Sequence, residues 1–471
     1  MKSPKSILFI YLLLSIIQYS PLTIFAQTYN DATLAKVRAQ DASNRDASGK
    51  MQTLSVAEHA LRGDVYASNR VFANAREHYG KILEIYPNDA LVSKALLGIG
   101  RSYMWEKNYP LAVTFFDDLI KMNTGTKDGR EGLAFKGASL VRIGKSVEAA
   151  KVYEQYTTMF PKGERIESSY LNIIDAYREA GRPMDALAWV QKTRQKFAGT
   201  PTETNAVFAQ MRLQINQKNW SNAIQTADEL RRLSFAKGAM TTNDEITFFK
   251  AYCLEKAGRT NEAVNFYFAV PENLSYYAGQ ATARLQNLVD DSRRSDLVAR
   301  QQNARNAATR SATAFPAPHK ADLLNYAKSR NVDARFVLAI MKQESGFNAR
   351  AKSQSAARGL LQMTTDTADK YKALAGLPNL QAEQLYQPTI AIRISSVHLA
   401  DLQRLFPSSL EAVAASYNGG EENAIRWIKR AGSNDLFAAE VGFAETKDYV
   451  FKVMSNYRAY RELYDENLNR K

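Results

Sequence analysis

The chain is expected to be almost entirely α-helical, as a helical-repeat superhelix followed by a small, mostly helical domain. Three observations carry this: alanines that recur at a fixed spacing, aromatic residues one helical turn beyond them, and an amphipathic helix near residue 340 whose apolar stripe ends in a glutamate. A chain of 471 residues is too long for one compact core, so two or three domains are expected.

Residues 1–26 open the chain with Lys2 and Lys5 ahead of the apolar run Ile7 to Ile17, and Ala26 offers a small residue for cleavage before Gln27. This pattern predicts a secretory signal peptide. The run is short for a membrane span, so contact with a membrane is expected only through an uncleaved leader. No cysteine follows the run, and Cys253 has no partner for an intrachain disulfide, so stability must come from packing.

A repeat domain is expected over residues 50–285. Ala75, Ala112, Ala149, Ala186 and Ala223 are spaced evenly by 37 positions, and Ala263 follows 40 later. Tyr79, Phe116, Tyr153 and Tyr267 lie four residues beyond their alanines. Small residues at one phase let two helices approach closely, and the aromatic one turn later fills the space between them. Gly144, Gly181 and Gly258 mark the turn before the alanine, while Pro87 and Pro161 stop the second helix. The pattern is similar to tetratricopeptide-like hairpins lengthened by about one turn. Such hairpins stack into a curved solenoid with an extended concave surface of the kind that receives protein partners.

Residues 286–318 change character. Arg293, Arg294, Arg300, Arg305 and Arg310 alternate with polar residues, and the stretch closes on Ala314-Phe315-Pro316-Ala317-Pro318. The arginine-rich part is compatible with a solvated helix and the proline-rich end with a linker.

The remaining residues, 319–471, contain the segment that suggests chemistry. Val337, Ile340 and Met341 form one helical stripe, Glu344 takes the next position on it, and Gly346 ends the helix. A carboxyl group on an apolar face is disfavoured in its charged form, and one that stays protonated near neutral pH can act as a general acid. A buried glutamate paired with a lysine or arginine is the competing account of the same pattern.

Four ordered blocks surround it: Glu344-Ser345-Gly346-Phe347; Ser353 with Ala357 and Gly359-Leu360-Leu361-Gln362; Tyr417-Asn418-Gly419-Gly420; and Glu445-Thr446-Lys447-Asp448-Tyr449-Val450. In order and spacing they resemble the motifs of soluble-type lytic transglycosylase catalytic domains, over roughly residues 320 to 465. The resemblance implies a lysozyme-like, mostly helical catalytic domain that cuts the bond between N-acetylmuramic acid and N-acetylglucosamine in peptidoglycan without water, leaving a 1,6-anhydro end. It implies Glu344 as the single catalytic acid and base, and Ser353, Gln362, Tyr417, Asn418 and Glu445 as residues around the substrate. Glycan strands would be the partner and the periplasm the location.

Departures from the family pattern are Thr364 and Thr365 where Met363 is often followed by proline, Gly419-Gly420 for Ala-Gly, Lys447 for arginine, and Ala356 for glycine. None removes a proton-transfer group. Glu440 and Glu445 are also weighed as the second carboxylate of an ordinary glycosidase, which would make the protein a hydrolase. A third reading is a wall-gripping scaffold without catalysis.

Other classes have less support. The net charge of +14 fits any polyanion, yet no nucleic-acid-binding motif accompanies it, so no nucleic acid is expected. Gly144-Lys145-Ser146 lacks the upstream glycine of a phosphate-binding loop, and His59, His78, His319 and His398 lack zinc-ligand spacing. No cofactor and no metal are expected.

Overall fold

The computed structural model describes residues 30–471, so the leader expected over residues 1–26 lies outside the described residues. Among the described residues the chain is helical, with isolated β-bridges and no strand. No described helix is long and apolar enough to cross a membrane.

Six antiparallel hairpins follow an N-terminal helix, Asp31–Ser43. They are Val56–Ser68 with Phe72–Ile85, Val92–Trp105 with Tyr109–Asn123, Lys127–Arg142 with Ser146–Met159, Ile166–Glu179 with Pro183–Lys196, Pro201–Asn216 with Trp220–Leu230, and Asn243–Lys256 with Thr260–Ala269. Every alanine of the 37-residue series, and Ala263, is fully buried. The aromatics fill notches made by glycine. A β-carbon at Gly63 or Gly98 would stand 2.6 or 2.5 Å from the Tyr79 ring, so Tyr79 is gripped by its own hairpin and by the next. Phe116 meets Gly100 and Tyr153 meets Gly137 in the same way. Where the aromatic is missing, Val190 and Ala227 occupy the position, both fully buried.

The turn residue five positions before each alanine has positive φ in all six hairpins: Arg70, Lys107, Gly144, Gly181, Lys218 and Gly258, between 58° and 79°. Glycine takes this conformation freely and three hairpins use it. Arg70, Lys107 and Lys218 adopt it at a cost, and the first two reach the C-terminal domain from it.

The segment expected as a linker is not a loose tether. Arg294–Arg310 is a helix that buries Leu297, Ala304 and Ala308, and Arg300 on it is buried too, donating to Val270 O at 2.7 Å and Thr282 Oγ1 at 2.8 Å. The proline-rich end is held by Tyr460, whose hydroxyl donates to Pro316 O, and by Tyr464, which donates to Phe315 O. The arginines are spaced so that one turns inward; composition alone hides this.

In the C-terminal domain the helix Ala334–Ser345 is its central member, with Phe336 through Met341 fully buried, packed against the terminal helix Ala444–Leu463. The loop after the central helix is held by two isolated bridges, Lys352 with Arg358 and Arg358 with Met363. One apolar cluster runs without a break from Val207 of the fifth hairpin to Leu468, so superhelix and C-terminal domain share a core.

Ion pairs extend this union along the whole superhelix. Asp31 accepts from Lys352 and Arg358, and Tyr386 donates to its second oxygen. Arg70 holds Asp366 with two hydrogen bonds of 2.7 Å. Farther along, Glu179 pairs with Arg426, Glu245 with Lys447, and Glu272 with Arg458. The superhelix therefore clasps the C-terminal domain from its first helix to its last hairpin.

Candidate active site

A cleft of about 840 Å³ lies between the first three hairpins and the C-terminal domain. Glu344, Ser353, Gln362, Tyr417, Asn418 and Glu445 all line it. Six residues spread over about a hundred positions are thus brought to one cavity.

Glu344 occupies the last turn of its helix, just ahead of Gly346, whose φ of +57° closes the helix. Its carboxyl Oε1 accepts a hydrogen bond of 2.8 Å from the Tyr449 hydroxyl. No lysine or arginine among the described residues lies within ion-pairing distance, and Lys342, on the same helix, is turned to Ala314 O. The paired-glutamate account therefore does not hold here. Burial pushes the carboxyl up to about 8; the charge of Glu445 adds to the shift, and the Tyr449 hydrogen bond opposes it. The carboxyl is partly open to the cleft while surrounded by protein on its other sides. At neutral pH it is mostly protonated and can be reached.

The other expected residues divide by what their polar atoms already do. Ser353 Oγ accepts from Ala357 N at 3.1 Å and so braces its loop. Gln362 donates its amide to Ala351 O and Gly359 O, at 3.1 and 2.8 Å, from a backbone with φ of +46°. The loop is tight. A β-carbon on Gly359 would lie 2.0 Å from Leu385 O, which accounts for glycine there. Tyr417 donates to Leu361 O at 2.7 Å, and Asn418 Oδ1 accepts from Thr446 at 2.7 Å. Glu445 and Thr446 begin the terminal helix, so the last motif holds the Asn418 turn against the helix that carries Tyr449.

Glu440, the other acid considered for a second carboxylate, is absent from the cleft. It is buried among Arg178, Arg212 and Arg430, which hold its carboxyl far below the usual range. A group so fixed cannot exchange protons near neutral pH. Lys447, in place of arginine, is buried with its ammonium 2.9 Å from Glu245 and 2.7 Å from Met240 O. Its function is to join the two domains.

Sequence reasoning left out three parts of the site. Tyr449 was within a quoted motif, but nothing in its spacing shows that its hydroxyl meets Glu344. His398 is sandwiched between Tyr371 and Tyr417, with ring centroids 4.9 and 5.2 Å away, and burial pushes its imidazole down to about 4. The third part is the wall from the repeats, with Arg70, Trp105, Lys107, Tyr109 and Arg142, more than two hundred positions from Glu344. No local pattern could have joined them. Among the described residues no group of His, Cys, Asp and Glu is placed to hold a metal ion.

Much of the C-terminal side of this cleft falls within a region that matches a known family. Residues 323–438 match the Transglycosylase SLT domain family, and residues 94–123 match the tetratricopeptide repeat. The chain carries an SLT domain. A putative soluble lytic murein transglycosylase of Haemophilus influenzae is 32% identical over 142 residues, 30% of this chain and 24% of that protein. The soluble lytic murein transglycosylase of Salmonella typhimurium is 29% identical over 150 residues, 31% of this chain and 23% of that protein. The aligned part of the chain spans about a quarter of the length of these curated relatives. The similarity of fold reaches farther than that of sequence. An inactive mutant of the lytic transglycosylase Slt from Pseudomonas aeruginosa superposes with a TM-score of 0.52 at 17% identity, covering 86% of this chain and 78% of that one. The fold of the helical superhelix, as well as that of the C-terminal domain, is therefore similar.

Proposed function

We propose that the chain is a peptidoglycan lytic transglycosylase acting in the periplasm, with Glu344 as its single general acid and base. The observation that carries this is one reachable carboxyl, protonated up to about pH 8, in a cleft of about 840 Å³. In the first step Glu344 gives its proton to the oxygen linking N-acetylmuramic acid to N-acetylglucosamine, and the C1–O bond breaks. As a carboxylate it then takes the proton of the muramoyl 6-hydroxyl, whose oxygen attacks C1 and closes the 1,6-anhydro ring. The proton returns to Glu344 and no water is consumed. Tyr449 keeps the carboxyl in place through both transfers, and its hydrogen bond favours the charged form needed for the second.

Residues 319–471 form the catalytic unit in this reading and residues 50–285 the wall that encloses it. Tyr417 and Asn418 shape the sugar wall, and Ser353 and Gln362 fix the loop beside the reacting carboxyl. Action on the wall requires export, which agrees with the leader expected over residues 1–26.

Glu445 lies in the same cleft as Glu344, and that favours a second reading, a hydrolase with two carboxylates. Mass spectrometry of the products separates the two, because a hydrolase leaves reducing ends and a transglycosylase leaves anhydro ends one water lighter. Glu344→Gln should abolish the anhydro products. Anhydro yield unchanged in that variant would remove Glu344 from the reaction.

A further inference from the structure

The cleft and the smaller cavity of about 130 Å³ beside it have one lining residue in common that stands apart from the other cations. Arg70 is paired with Asp366, and Lys107 and Lys370 share Glu421. In the smaller cavity Arg165, Arg426 and Arg430 are paired with Glu131, Glu179 and Glu440. Arg142 lines both cavities, and no carboxylate among the described residues lies within 4.0 Å of it. Its guanidinium donates to Ala138 O at 2.9 Å and sits over the Tyr109 and Phe443 rings, at 5.7 and 6.0 Å. Two aromatic faces and one backbone carbonyl hold the cation in place without neutralising it.

A guanidinium has five N–H donors in a planar fork suited to a carboxylate. Leaving such a group largely desolvated and without a counterion is unfavourable unless something brings the negative charge. Burial already weakens its hold on the proton, although an arginine remains charged at any physiological pH. Arg142 also stands on the last turn of Lys127–Arg142, part of the superhelix, so a ligand reaching it would touch both domains.

We propose that Arg142 is a substrate-recognition residue that binds a carboxylate carried by the glycan, on a peptide stem or on the lactyl ether of the muramoyl sugar. The proposal rests on the transglycosylase reading of the same cleft and specifies which face of the substrate meets the superhelix. Arg142 takes no part in proton transfer. It selects glycans that bear acid groups and holds them against the repeat wall.

The test is a binding measurement that does not depend on cleavage. Soluble peptidoglycan fragments are titrated calorimetrically into Glu344→Gln and into Glu344→Gln with Arg142→Met. The same titration is repeated with fragments whose carboxyls have been converted to methylamides. Loss of one charge-assisted pairing should weaken binding of the acidic fragments about tenfold, and the two proteins should bind the amidated fragments alike. Arg142→Lys, which keeps the charge without the fork, should recover part of the loss. Fragments stripped of their stems have the lactyl carboxyl free, where stem-bearing fragments hold it as an amide, so they locate the carboxylate: a ratio near one on stripped fragments assigns it to the stem, and a tenfold ratio on both means that Arg142 takes a carboxylate at either place. Equal weakening on acidic and amidated fragments would make Arg142 a structural cation only, and no weakening on either would overturn the assignment outright. Whether the wild-type protein yields anhydro ends is a separate readout, so failure of the catalytic reading is distinguishable from failure of this one.

Discussion

Replacing Glu344 by glutamine should stabilise the protein, and by an amount that grows with pH. The carboxyl is held at about 8 in the folded state against an ordinary value of 4.5. Between these two values the folded chain binds a proton that the unfolded chain has released, so wild-type stability falls as pH rises through the window. Glutamine does not titrate. Below pH 4.5 both side chains are neutral and the two proteins should differ little. Above pH 8 the folded wild type carries a charge in an unfavourable place, and the advantage of the variant levels off. Complete desolvation would make the plateau about 5 kcal/mol; the carboxyl is partly open to the cleft, and solvent screening reduces the expectation to about 2 kcal/mol. For a chain of this size that corresponds to roughly 2–4 °C in melting temperature. Thermal unfolding of both proteins from pH 4 to pH 9 measures it. A difference that is constant with pH, or one that favours the wild type above pH 6, would mean that Glu344 is not held protonated, and the acid catalyst would have to be another group.

Tyr449→Phe removes the hydrogen bond that favours the charged form of Glu344, so the basic limb of the pH–rate profile should move upward, with a lower rate at its maximum; a downward shift would contradict the arrangement. Lys447→Met leaves the buried Glu245 carboxylate only the Tyr277 hydroxyl as a partner among the described residues and should cost about 3–5 kcal/mol in urea unfolding. Gly359→Ala and Gly144→Ala test one backbone conformation in two surroundings. At Gly144 the added carbon meets nothing within 4 Å, and only the left-handed φ opposes it, at about 1 kcal/mol. At Gly359 the carbon also meets a carbonyl oxygen, so the loss of stability should be clearly larger and should be accompanied by loss of activity, because the loop bearing Gln362 must move.

The sequence made some of this legible because the relevant physics is local. An alanine must recur where two helices touch, and an aromatic must follow where a glycine notch awaits it; both rules act within one hairpin, so spacing was enough to find them. The apolar stripe ending in Glu344 is equally local. The four motifs carried the rest of the floor of the site by resemblance, but resemblance did not say which polar atoms were already in use. Ser353 and Gln362 are largely engaged with their own loop, as only coordinates reveal. Long-range pairings were out of reach: Arg178 meets Glu440 and Lys447 meets Glu245 across more than two hundred residues, and each charge alone reads as an ordinary surface group. The arginine-rich segment misled for a related reason. Its composition is that of a solvated helix, and the one inward residue, Arg300, is satisfied by backbone carbonyls of another element.

The contacts between the two domains also explain why the superhelix has so basic a set of turns. Arg70 and Lys107 occupy left-handed positions that glycine would fill at less cost, yet both extend to acids of the C-terminal domain that border the cleft, Asp366 and Glu421. Without those cations the border would hold three carboxylates, Asp366, Glu421 and Glu422, in the same cleft as Glu344, which in the proposed reaction must keep its proton only up to the moment of transfer. More negative charge nearby would raise its affinity for that proton further and oppose the carboxylate required in the second step. Lys107 lies 3.2 Å from Glu421 and 3.6 Å from Glu422, and Tyr109 donates to Glu422 from the same turn. In the proposed reaction the repeats thus do more than enclose the glycan. By neutralising the acids at the rim they leave the proton affinity of Glu344 to burial, the Tyr449 hydrogen bond and Glu445, and this ties that affinity to the integrity of two hairpin turns some 240 to 270 positions earlier in the chain.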